Sequence, residues 1–83
     1  MNEQDAWTTV RSAIGQVAPD VDPEDLVEGA RLRQDLELDS LDFLRVLETI
    51  ARQAGVDVPE GAYGEVGTVK GLVGYVAAHG NER

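Results

Sequence analysis

The run Asp39-Ser40-Leu41-Asp42 sets a hydroxyl between two carboxylates, where an irregular stretch gives way to the strongest helical pattern in the chain. Ser and Asp both favour helix starts, so one reading is purely local: their side chains accept hydrogen bonds from free amides of the first turn. A second chemistry is open to the same residues. Free amides and the positive end of a helix dipole tolerate a phosphodiester on the serine, and an exposed apolar neighbour such as Leu41 suits a partner's groove.

Other constellations fail on residue type or spacing. An EF-hand register beginning at Asp20 has acids at its first three ligand positions, but Asp25 stands where the turn glycine is needed and Arg31 where the bidentate Glu belongs. The register beginning at Asp35 meets Ser40 and Val46 at those two places, so no metal site beyond weak surface binding is expected. Ser40 lacks the G-x-S-x-G setting of a hydrolytic nucleophile, and the single histidine, His79, falls near the end of the last helix as a surface residue. Gly71 and Gly74 follow no strand and make no dinucleotide fingerprint. With no cysteine there is no disulfide framework, thiolate metal site or cysteine nucleophile.

The whole chain, residues 1–83, is long enough for one domain. Sixteen acidic residues against seven Lys and Arg give a formal net charge of −9. Phosphate recognition needs clustered basic residues, so nucleic acid and anionic membrane surfaces are poor partners, whereas basic proteins suit the chain. A hydrophobic share of 42% is ordinary for a globular protein with a small core. The acidic start MNEQDAW lacks the basic flank and apolar run of a signal peptide, and every apolar run is too short to cross a bilayer. A cytoplasmic monomer is expected.

The elements that must position Ser40 can be read from spacing. Trp7, Val10, Ile14 and Val17 step by 3, 4 and 3 with Ala6 and Ala13 beside them, which predicts a first helix over about 3–17. Pro19 ends it, and residues 18–39 read as a long charged loop with Leu26, Val27, Leu32, Leu36 and Leu38 available to pin it. Leu41, Leu44, Leu47, Ile50, Ala51 and Ala54 predict a second helix over about 40–54, with Asp39 before it as a cap, Asp42 in its first turn and Gly55 behind it. A glycine-rich stretch over about 60–66 allows only a short third helix, since each interior glycine costs about 1 kcal/mol relative to alanine. Thr68 then caps a last helix over about 68–78 with Val69, Leu72, Val73 and Val76 on one stripe, after which the tail should fray. The expected fold is all-α, a bundle of three main helices and one short one.

From Leu36 through Val76 this order resembles the acyl carrier proteins: D-S-L-D, a helix, a V-D-V-P turn, a short third helix, then T-V and a final helix containing Tyr75-Val76. With the first helix and the acidic loop, the likeness covers nearly the whole chain. It implies a carrier rather than an enzyme. A phosphopantetheinyl transferase would attach the 4'-phosphopantetheine arm of coenzyme A to Ser40, making a phosphoprotein whose reactive thiol comes with the arm. Acyl groups would ride on that thiol as thioesters and pass between acyl-loading and acyl-processing enzymes. Asp39 and Asp42 would help recruit the transferase, Leu41 would pack against it, and Leu44, Leu47, Ala62, Tyr63, Val66 and Val73 are candidates to line an acyl pocket. The Met start and the short ends suggest a free-standing carrier.

Two features depart from the carriers of primary fatty-acid synthesis. Those carriers typically present Glu five and twelve residues after the serine, where this chain has Arg45 and Arg52. A like-charge face repels basic docking surfaces, which points to a specialised polyketide, lipid or secondary-metabolite pathway. Tyr63 stands where carriers often have a small residue, so it narrows or covers the pocket. The alternatives are a housekeeping carrier of fatty acid biosynthesis, an aminoacyl carrier, which the lack of a Gly-Gly pair before Ser40 disfavours, and an unmodified helical adaptor that uses Ser40 only as a cap.

Overall fold

A computed structural model describes residues 1–80. Its α-helices are α1 (Glu3–Val17), α2 (Ser40–Ala54) and α3 (Val69–His79). A 3₁₀ turn, Pro23–Asp25, interrupts the long loop, and Glu60–Val66 forms a second 3₁₀ helix. The fold is all-α, and α1 packs against both α2 and α3 while the second 3₁₀ helix packs on α3. The expected fraying of the tail falls largely on residues 81–83, outside the described residues.

Each α-helix starts on a side-chain cap. Asn2 accepts from the Asp5 amide, Asp39 from the Asp42 amide and Thr68 from the Gly71 amide. At the other end of α2, Gly55 takes φ +70°, the left-handed conformation that stops a helix with least penalty in glycine. The core is built from Ala6, Val10, Ala13 and Ile14 of α1, Phe43, Val46, Leu47 and Ile50 of α2, and Val69, Leu72, Val73 and Val76 of α3.

The buried stripe of α2 therefore differs in phase from the one expected. Leu41 and Leu44 are 56% and 39% exposed, whereas Phe43 and Val46, with Leu47 and Ile50, occupy the i, i+3, i+4, i+7 positions that face the core. Val27 is also exposed, at 57%, because Leu26 takes the inward place beside it. The other loop pins, Leu26, Leu32, Leu36 and Leu38, are buried.

The loop is held by main chain as well as by leucines. The Leu32 amide donates to the Gly67 carbonyl, the Val69 amide to Ala30 and the Lys70 amide to Glu28, each at 2.9 Å. These bonds surround an isolated antiparallel bridge between Arg31 and Thr68. They also satisfy the first amides of α3, which no residue within the helix can reach. Beyond the seam, Leu36 and Leu38 are both buried, and Glu37 between them adopts φ +60°. Gly71 explains how closely α3 approaches its neighbour: a Cβ there would collide with the carbonyl oxygen of Glu65.

Two substitutions test this account by urea denaturation. Gly71→Ala should lower stability by about 1–3 kcal/mol, the usual penalty of overpacking. Glu37→Gly should raise it by about 1 kcal/mol by relieving the left-handed conformation.

Candidate functional site

The start of α2 positions Ser40. Asp39 is the extended residue before the helix, and its Oδ1 accepts from the Asp42 amide at 2.8 Å while its carbonyl accepts from Phe43 at 2.9 Å. Capping belongs to Asp39, and Ser40 is the first helical residue, with an exposed side chain. The adaptor reading, in which Ser40 serves only as the cap, loses its structural basis. The Ser40 and Leu41 amides precede the point where intrahelical bonding begins and make no hydrogen bond among the described residues.

The Ser40 hydroxyl accepts a hydrogen bond from Arg33 Nη2 at 2.8 Å. Arg33 follows Leu32, whose amide is fixed on Gly67 and whose carbonyl accepts from Leu38, so its backbone is held at both sides of the turn. Arg31 and Asp35 close that turn from outside. Asp35 Oδ2 accepts from the Arg31 amide at 2.8 Å and from its Nε at 3.1 Å, and Oδ1 accepts from Nη2 at 3.2 Å. The side-chain bonds from Arg31, then the bond from its amide, hold the Asp35 carboxyl below the usual carboxylate range.

A groove of about 450 Å³ begins at this point, lined by Arg33, Ser40, Phe43, Leu44, Tyr63 and Gly67 among others. Phe43 and Tyr63 meet edge to face, with ring centroids 5.6 Å apart and planes at 87°. Leu44 and Tyr63 also border a second groove, of about 430 Å³, with Leu47, Ala51, Val58 and Pro59. Tyr63 thus stands between the two. Of the other pocket candidates, Ala62, Val66 and Val73 are buried at 6%, 0% and 2% exposure.

A separate concavity of about 340 Å³, which Ser40 does not line, is walled by Asp20, Asp22, Asp25, Asp35, Glu37 and Asp42, together with the apolar Ala18, Val21, Leu36 and Leu38. Farther along α2, Arg45 and Arg52 are exposed and share a shallow groove with Gln16, Val17, Glu48 and Thr49. Arg52 Nη2 donates to Thr49 Oγ1 at 3.5 Å, and among the described residues neither arginine makes an ion pair. Arg45 pairs with neither Glu48 nor Asp42. His79 is exposed and stacks on Tyr75, with centroids 4.1 Å apart.

The arrangement fits a phosphodiester on Ser40. The hydroxyl is open to solvent, the adjoining helix amides are unbonded, and a guanidinium is already in contact with the oxygen that would be esterified. Arg33 was not singled out from sequence, because a contact seven residues apart across an irregular loop leaves no periodic trace.

A family model described as "Phosphopantetheine attachment site" matches residues 8–76. An acyl carrier protein of Zymomonas mobilis is 36% identical over 59 residues, covering 71% of this chain and 76% of that protein. Another, from Rubrobacter xylanophilus, is 32% identical over 59 residues, covering 71% and 73%. A third, from Thermosynechococcus vestitus, is 26% identical over 76 residues, covering 92% and 93%.

The Arg31–Asp35 contact predicts a pH signature for the loop that carries Arg33. Because the Asp35 pKa is lowered on folding, the stability it contributes is present above the unfolded value near 3.9 and is lost as pH falls through the lower folded value. Urea titrations from neutral pH downward should find Asp35→Asn less stable than wild type above about pH 4, with the gap closing below it.

Proposed function

The chain belongs to the acyl carrier protein family, which carries acyl groups on phosphopantetheine, and we propose that Ser40 is the residue that bears its arm. The observation that carries this assignment is the exposed Ser40 hydroxyl on the first turn of α2, inside D-S-L-D and within the matched span. When bound, the group supplies the thiol on which an acyl chain is held as a thioester.

Esterification forms a bond from Ser40 Oγ to phosphorus and breaks the pyrophosphate link of coenzyme A. Adenosine bisphosphate leaves, and the hydroxyl proton passes to a base of the transferase. The carboxylates around the adjoining concavity, Asp42 among them, favour a transferase with a basic surface, and Asp39 keeps the helix start ordered while it docks. Leu41, 56% exposed on the next position, supplies an apolar contact. Leu44 and Tyr63 border both grooves beside α2, which supports a role for them at the mouth of an acyl pocket, with Leu47, Ala62, Val66 and Val73 deeper.

We place this carrier in a specialised polyketide, lipid or other secondary-metabolite pathway. Leu41, Arg45, Glu48 and Arg52 follow one another at i, i+4, i+7 and i+11, one outward line of α2. A partner docking along that line from Ser40 meets two cations with no ion pair. Enzymes that present basic groups there are repelled, and those with acidic groups are favoured.

Two experiments test these assignments. Incubation with coenzyme A and a broad-range phosphopantetheinyl transferase should add one phosphopantetheine by intact mass, and Ser40→Ala should add none; equal addition to both would remove Ser40 from the role. The paired change Arg45→Glu, Arg52→Glu should raise turnover by enzymes of primary fatty-acid synthesis at least about tenfold, since relief of a like-charge contact is worth more than the 1.4 kcal/mol of a factor of ten. Unchanged turnover would reject the pathway assignment and favour a housekeeping carrier.

A further inference from the structure

We infer that Arg33 is the cation that anchors the phosphodiester of the arm and sets the direction in which the arm leaves the helix. This rests on Ser40 being the attachment residue.

The argument begins with what Arg33 does before modification. Its Nη2 donates to Ser40 Oγ at 2.8 Å, yet both side chains are exposed and the acceptor is a neutral hydroxyl, so the bond contributes little to the fold. Neighbouring acids do not claim the guanidinium. Arg31, two residues earlier, is engaged by Asp35 through both carboxylate oxygens, whereas Arg33 makes no ion pair among the described residues. A cation held beside a serine in so acidic a loop is available to a charge that the serine later acquires.

Esterification places that charge on the two non-bridging oxygens of a phosphate bonded to the atom that Arg33 already touches. A cation's hydrogen bond to a neutral hydroxyl gives way to an ion pair with an anion, and a planar guanidinium with several donors suits a phosphate oxygen pair. The backbone on either side of Arg33 is pinned by the Leu32 amide on Gly67 and the Leu38 amide on Leu32, so little ordering is required. Because Arg33 and Ser40 line the same groove as Phe43, Leu44 and Tyr63, and neither lines the acidic concavity, an arm held at its phosphate by Arg33 starts out along that groove.

The test compares apo and modified protein for wild type, Arg33→Gln and Arg33→Lys. In wild type, modification should raise the melting temperature by about 1–5 °C more than it does in Arg33→Gln, the size expected of an exposed ion pair in a small domain, and Arg33→Lys should retain part of the increment. The phosphorus-31 resonance of the arm should differ between modified wild type and Arg33→Gln at low salt, and the difference should shrink at about 1 M salt, where exposed charges are screened. A merely structural role for Arg33 would shift apo and modified melting temperatures equally. That result, with an unmoved phosphorus resonance, overturns the inference and leaves Ser40 as the attachment site. Should Arg33→Gln resist the transferase, the Nε–H resonance of Arg33 in wild type decides: movement on modification sustains the anchor, and no movement rejects it. Wild type that gains no mass removes the Ser40 assignment and the anchor together.

Discussion

The short seam between residues 28–32 and 67–70 is the constraint on which the rest of the molecule depends. Three amide–carbonyl bonds join a loop that would otherwise wander to the start of a helix that would otherwise expose its first donors. Each partner answers a need of the other. With the seam made, Leu32 enters the core with no exposure, and Leu36 and Leu38 follow it across the left-handed turn at Glu37. The loop then delivers the chain to Asp39 in an extended conformation, ready to cap α2.

Parts of this were legible in the sequence and parts were not, for physical reasons. The start of α2 could be read because capping is local: Asp39, Ser40 and Asp42 lie within one turn, and Gly55 closes the same helix by an equally local rule. The phase of its buried face could not. The first half of α2 has apolar residues at 41, 43, 44, 46 and 47, nearly all the way round, and spacing alone admits a stripe through Leu41 and Leu44 as readily as one through Phe43 and Val46. Packing against α1 selects the second, which buries Phe43 and Val46 together with Leu47 and Ile50. The surplus apolar residues are left outside.

The loop shows the same division. Leucines 26, 32, 36 and 38 are recognisable pins because few other apolar side chains are at hand, but Val27 points outward because adjacent residues cannot both face the core here. The seam pairs residues nearly forty positions apart through main-chain atoms, which carry no side-chain signature. Arg33 was hidden for a related reason. In a region with nine acids and two arginines from Asp20 to Asp42, a single cation looks like a solvated residue until the fold shows what it touches.

The separation of charge along the chain has a consequence for the whole molecule as it tumbles. Residues 20–42 carry a net −7, while residues 43–54 carry +1 from Arg45 and Arg52 against Glu48. The molecule measures only 33 by 25 by 20 Å, so a partner at the edge of its ionic atmosphere feels a lopsided field rather than a point charge. Such a field exerts torque. The acidic segment is thereby drawn towards any basic surface before side chains meet, which shortens the search for a matching orientation.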